Sequence, residues 1–143
     1  MSPKPLLAAS IALAVAAPPL AAAASESFQI QPGQWRIHSE TKNSMMPEPR
    51  VDTRTECVTD TEWDVEELMR DARGCTIRDV ESSADRLRWK VECSGPGGRM
   101  NGRADYRSEG DRVDGQMNMA MQTGQMNVTM DMKFQAQRLG DCE

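Results

Sequence analysis

From residue 33 onward the chain alternates apolar and polar positions with a period of two, interrupted by turn signals and by one stretch of helical spacing. Trp35, Ile37, Ser39 and Thr41 alternate with Arg36, His38, Glu40 and Lys42, the pattern of a strand with one buried face. A loop over residues 43–49 carries Met45, Met46 and two prolines, after which Val51, Thr53, Thr55 and Cys57 resume the alternation as a second strand. The period then changes. Thr59-Asp60-Thr61-Glu62 has the form of a capping box, Trp63, Val65, Leu68 and Met69 follow at helical spacing, and Gly74 stands as the stop, which predicts one short helix.

The rest of the chain reads as a run of hairpins. Cys75 and Ile77 lie at odd positions, as do Leu87, Trp89, Val91 and Cys93 beyond the Ser82–Asp85 turn, and residues facing each other across an antiparallel pair share a side of the sheet. A register centred on Ala84 sets Ile77 opposite Val91 and Cys75 opposite Cys93. Beyond the Gly95-Pro96-Gly97-Gly98 turn, a four-residue loop sets Cys93 opposite Met100 and Trp89 opposite Ala104, a large residue against a small one. Two-residue loops at Glu109-Gly110 and Thr123-Gly124 predict that Tyr106 faces Val113, Met121 faces Met126, Met119 faces Val128, Met117 faces Met130 and Val113 faces Phe134. The apolar residues then share one face. Asp114, Gln116, Asn118, Gln125, Asn127, Thr129, Asp131 and Lys133 occupy the other, as in a sheet with one wet side.

The expected fold is therefore mainly β: about seven antiparallel strands in meander order, forming a curved sheet or a partly closed barrel, with one short helix after the second strand. Parity sets neighbours and not closure, so a two-sheet sandwich is the alternative.

Ahead of this region stand a positive charge at Lys4, an apolar run from Leu6 to Ala17, Pro18-Pro19 and the small residues Ala21–Ala24, the order of a secretory signal peptide. The expectation is a cleaved segment over residues 1–24 and a single disulfide-bonded β domain over residues 25–143, periplasmic or secreted. Of 17 basic and 22 acidic residues only Lys4 precedes the cut, which leaves 16 against 22, a net charge of −6 with both signs interspersed. Nucleic acid is not an expected partner, and no stable membrane insertion is expected.

Cys57, Cys75, Cys93 and Cys142 all follow the cut, and an even number of cysteines in an exported chain implies a disulfide framework. The hairpin register pairs Cys75 with Cys93, so that by elimination Cys57 pairs with Cys142. A zinc site is a poor reading of the same cysteines, since they include no C-x-x-C pair and His38 is the only histidine.

Several motifs together resemble the bacterial envelope family known as domain of unknown function 3617. They are Pro32-Gly33-x-Trp35, Cys57-Val58-Thr59 before an acidic helix, Gly74-Cys75-Thr76, Cys93-x-Gly95-Pro96-Gly97-Gly98, the alternating methionine strands and Gly140-Asp141-Cys142. The resemblance implies a periplasmic location and no established activity. Gly33-x-Trp35 is also similar to the first-strand G-x-W of lipocalin-type barrels, where a late arginine packs across the tryptophan. Arg138, placed just beyond the last strand, would do so here as a cation–π contact.

No spacing of Ser, His and acidic residues suggests a triad, and disulfide-bonded cysteines supply no free nucleophile, so a non-enzymatic role without a cofactor is expected. The chemical oddity is methionine: eleven in all, most of them on the last two strands. Unbranched thioethers could fill an irregular core, as in a structural envelope protein. They could also line an apolar cavity formed by Trp35, Trp89, Tyr106, Met117, Met119, Met121, Met126, Met130 and Met132. A third reading is Cu(I) binding by Met117, Met119 and Met121, with Met126 and Met130 opposite. The expected function is a binding or envelope-interaction module whose partner is an apolar small molecule or an envelope protein.

Overall fold

Two glycines set the register of the methionine strands. In the computed structural model, which describes residues 27–143, Gly110 and Gly124 have φ of +85° and +59° and each is the first of two loop residues, Gly110-Asp111 and Gly124-Gln125. Glycine reaches this left-handed region without the steric penalty of a β-carbon. The two-residue loops expected at Glu109-Gly110 and Thr123-Gly124 therefore move forward by one residue, and both registers move by two. Tyr106 faces Gly115 rather than Val113. Met121 faces Val128, Met119 faces Met130, Met117 faces Met132 and Val113 faces Ala136. A shift of two preserves the side of the sheet, so the division into an apolar and a polar face stands.

The strands are β1 (Phe28–Gln29), β2 (Gly33–Asn43), β3 (Arg50–Val58), β4 (Glu62–Trp63), β5 (Cys75–Ser83), β6 (Arg86–Gly95), β7 (Gly98–Ser108), β8 (Arg112–Thr123) and β9 (Met126–Gly140). Seven of them form one antiparallel sheet in the order β3-β2-β9-β8-β7-β6-β5, and β1 pairs with β4 in a separate two-stranded ribbon. The meander thus joins its last strand to its first, and it is open between β3 and β5. It is a single open sheet and not a sandwich. The expected signal peptide, residues 1–24, lies outside the described residues.

The gap is where the chain leaves the sheet. Residues 59–74 run from the end of β3 to the start of β5, and they hold β4 and helix α1 (Val65–Leu68). The expected helix is shorter than its sequence pattern, because Glu62 and Trp63 pair as extended chain with Gln29 and Phe28 and so leave the first turn that a capping box would need. Asp64 caps it instead, its Oδ1 accepting from the Glu66 amide at 2.6 Å. This segment and β1 cover one end of the apolar face. Phe28, Ile30 and Val65 join Trp35, Ile37, Leu87, Trp89, Val91, Ala104, Val113 and Ala136 in the buried core.

Across the covered face, large and small residues meet in rows. Trp89 faces Ala104, Val91 faces Gly102, Tyr106 faces Gly115 and Ile37 faces Ala136. Small residues on the inner strands let bulky neighbours lie flat across them.

Cys75 lies opposite Cys93 and is bonded to it, and Cys57 is bonded to Cys142. The first pairing depends on a bulge. Near the turn Ser83 pairs with Arg86, a register that if continued would set Cys75 opposite Ser94 and leave the side chains of Cys75 and Cys93 on opposite faces. Asp79 and Val80 together oppose Trp89, the extra residue corrects the register by one, and Asp79 takes the positive φ of 52° that aspartate tolerates better than most side chains.

Candidate functional site: an apolar cleft on the covered face

Strand β3 contributes a face that its alternation does not advertise. Glu56, Arg54 and Asp52 lie opposite Trp35, Ile37 and Ser39, so the charged residues of β3 share the covered side while Val51, Thr53, Thr55 and Cys57 point to the other. Arg54 bonds Glu56 at 3.1 Å and reaches Asp52 at 3.5 Å, and the hydrogen bond to Glu56 raises the guanidinium pKa further above its ordinary value. An inward-pointing ion pair on an edge strand discourages pairing with another chain and puts a polar lip beside the apolar interior.

Behind that lip lies a cleft of about 200 Å³. Trp35, Ile37, Val113, Phe134 and Ala136 form its floor on β2, β8 and β9, and Tyr106 of β7 closes one side. Ile30, Val58, Trp63 and Leu68 form the walls contributed by the strand ends and the Glu62–Leu68 segment, with Arg54 and Glu56 at the mouth. Leu68 is 46 % exposed although it lines the cleft, which places it at the entrance.

Tyr106 is the hub of the aromatic cluster. Its ring stacks on Trp89 at 5.6 Å, and meets Trp63 and Phe134 edge-on at 6.2 and 6.0 Å; Trp63 in turn stacks on Phe28 at 5.8 Å. Such offset and T-shaped pairs stabilise beyond their buried area. Burial pushes the Tyr106 phenol above its usual range. Trp35 donates from Nε1 to the Gln31 carbonyl at 2.8 Å, whereas the buried Nε1 of Trp89 has no hydrogen-bond partner.

The residues expected to line a cavity are therefore divided. Trp35 and Tyr106 line the cleft, Trp89 backs it through Tyr106, and Met117 packs against the core. Met119, Met130 and Met132 continue the same face farther from the covering segment, half-buried, while Met121 and Met126 are exposed at 41 % and 56 %. No methionine is among the fully buried core residues, and most of those on β8 and β9 form the open end of the sheet. Trp63, Phe134, Ile30, Val58 and Leu68, together with Arg54 and Glu56, were not expected at the site. The helical spacing of Trp63 with Val65 and Leu68 hides its role, and the pattern of β3 favours its other face.

Arg138 lies within β9 rather than beyond the last strand, in register with Trp35. Its guanidinium donates to the Pro32 carbonyl at 2.8 Å and pairs with Asp141, lying over Gly33. A β-carbon at Gly33 would fall 2.6 Å from Arg138 Nε, so the arginine serves as a clamp between the chain start and the last strand.

On the opposite face a wider hollow of about 610 Å³ lies among Asp79, Arg88, Lys90, Arg103 and Asp105. Lys90 pairs with Asp79, and Arg88 with Asp105 and Glu81, so most of its charge is already compensated. His38 also lies on this side, with Nδ1 2.9 Å from Thr53 Oγ1. Among the described residues no group of three or more His, Cys, Asp or Glu could hold a metal, no cysteine is free, and no helix is long and apolar enough to cross a membrane.

These features define an open antiparallel sheet, tied by two disulfides and covered at one end, with an apolar cleft under the cover. Residues 30–142 match the model of a family described as protein of unknown function (DUF3617), and the chain belongs to that family. No curated protein and no solved structure matches it.

Proposed function

We propose that this is an exported, non-enzymatic binding module that holds a slim apolar molecule, such as an acyl chain, in the cleft under the Glu62–Leu68 segment. The observation that carries this reading is the lining itself: ten of the twelve residues around the cleft are apolar or aromatic, and the two charged ones, Arg54 and Glu56, pair with each other at its mouth. A cleft of about 200 Å³ is small beside typical drug-sized pockets of about 300–1,000 Å³, which favours a narrow ligand held within the cleft. Two disulfides with no free thiol are consistent with a periplasmic or extracellular fate, in agreement with the signal-like residues 1–24. An envelope protein whose sheet is simply filled by side chains is the competing reading, and the lined hollow weighs against it.

Trp35 and Trp89 lie on the covered face and Trp63 in the segment that covers it, so intrinsic fluorescence reports on the cleft's occupancy. Titration with palmitate below its micellar concentration, or with N-phenyl-1-naphthylamine, is expected to change tryptophan emission and saturate. Leu68→Glu is expected to abolish the response without unfolding the domain, because residue 68 is exposed and the new carboxylate stands in the entrance. A bare mass in native mass spectrometry of the protein as isolated, combined with no response to either probe, would overturn the proposal.

A further inference from the structure

Beyond the cleft, the register places four thioethers in two adjacent rows of the β8–β9 pair: Met117 opposite Met132, and Met119 opposite Met130. Facing residues in an antiparallel pair have β-carbons about 4.5–5.5 Å apart, and successive same-side positions are about 7 Å apart along a strand. Four flexible side chains standing on so small a rectangle can turn three or more sulfurs toward one point. All four are half-buried, partly withdrawn from water and still reachable from it. Met119 is further constrained at its root, because its Cγ would lie 3.1 Å from a β-carbon at Gly102, so it rests over a position with no side chain.

The surroundings decide the chemistry. On the same face the rows continue to Thr41 and Asn43 on β2 and to Ala104 and Gly102 on β7, none of which carries a carboxylate, imidazole or thiolate. Asn118 and Asp131 point to the other side of the sheet, as does His38. The nearby Cys75 and Cys93 are bonded to each other. A donor set made only of neutral, soft thioethers does not suit Zn(II), Mg(II) or Ca(II), which take nitrogen, thiolate or hard oxygen ligands, and selects a soft monovalent cation. Thioethers also do not protonate in the physiological range, so such a site has no pH switch of its own.

We infer that Met117, Met119, Met130 and Met132 form a binding site for Cu(I) on the open methionine face, separate from the apolar cleft. The inference does not depend on the cleft holding a ligand.

The test uses Ag(I), a redox-inert stand-in for Cu(I), added as its nitrate to the disulfide-bonded protein labelled with ¹³C at the methionine methyl groups, in chloride-free buffer. The expected result is one saturable equivalent, with the methyl signals of the four methionines moving together and those of Met45 and Met46 unchanged, and with an affinity that stays flat across about pH 5 to 8, where imidazoles titrate. The double variant Met119→Leu/Met130→Leu keeps apolar volume, so the fold is retained. It is expected to weaken Ag(I) binding by roughly tenfold or more while leaving the palmitate response in place. Met45→Leu/Met46→Leu is expected to bind as the parent does, as is Leu68→Glu. Absence of saturable binding, equal weakening by the Met45/Met46 pair, or displacement by Zn(II) would each overturn the site. Loss of the palmitate response alone would count only against the cleft.

Discussion

Tyr106 faces Gly115 across the β7–β8 pair, and its ring occupies the space that a side chain at 115 would need: a β-carbon there would lie 2.4 Å from Tyr106 Cδ1. Gly115 is therefore part of the aromatic cluster, since its bareness lets Tyr106 lie flat between Trp89 and Phe134. Gly115→Ala is expected to cost about 1–3 kcal/mol by overpacking. Urea denaturation measures it. In Tyr106→Ala/Gly115→Ala the two losses should sum to more than the double variant loses, because the clash disappears with the ring.

Tyr106 is the only tyrosine in the chain, so phenolate absorbance follows this one group. Burial favours its neutral form and raises its pKa above 10.0. The folded state thus holds the phenolic proton more tightly than the unfolded state does. Its contribution to stability is fully present below about pH 10 and is lost as pH rises through the folded-state value. The native protein should show little phenolate at pH values where free tyrosine is half-ionised, followed by a rise that coincides with unfolding. Tyr106→Phe should lessen the alkaline loss of stability.

The two disulfides should differ in weight. Cys57–Cys142 spans 85 positions and Cys75–Cys93 spans 18, and the second loop lies inside the first. Loop-closure entropy gives about 4.5 kcal/mol for the long loop and about 3 kcal/mol for the short one. Cys57→Ser/Cys142→Ser should therefore lower the urea midpoint more than Cys75→Ser/Cys93→Ser. An equal or reversed order would mean that native-state packing around the bonds outweighs the constraint on the unfolded chain.

Gly124 sets the β8–β9 register from the loop, at φ of +59°, with nothing within 4 Å of the position a β-carbon would take. The restriction there is conformational and not steric. Gly124→Val should cost about 1–2 kcal/mol, the penalty of an ordinary L-residue in the left-handed region. Gly124→Asn should cost clearly less. Thermal unfolding of the pair separates this explanation from one based on crowding.

Much of the sheet is legible along the chain, since within each strand a period of two divides the residues between two faces. Alternation thus leads to Trp89 against Ala104 and to the separation of methionines from the polar residues of β8 and β9, and matching the odd positions of the two strands pairs Cys75 with Cys93, a register the structure reaches through the Asp79-Val80 bulge. The same rule is blind to shifts of two, which is why the position of one glycine in each loop decided which methionines face each other. It also misleads on β3, where the less polar side of the strand faces outward and Arg54 and Glu56 line the cleft.

By itself, then, the sequence determined the alternation, the approximate places of the turns, the disulfide partners and the family, because these depend on local chemistry and on the matching of apolar positions. Tertiary structure decided what depends on distant residues. β9 pairs with β2 and leaves the opening between β3 and β5. Phe28 draws Trp63 out of a helix, and a bulge at Asp79-Val80 brings the cysteines onto one face. The cover formed by β1, β4 and α1 reaches only one end of the apolar face. The core is buried at that end, while at the other the methionines stay open to solvent, because nothing among the described residues is placed to bury them.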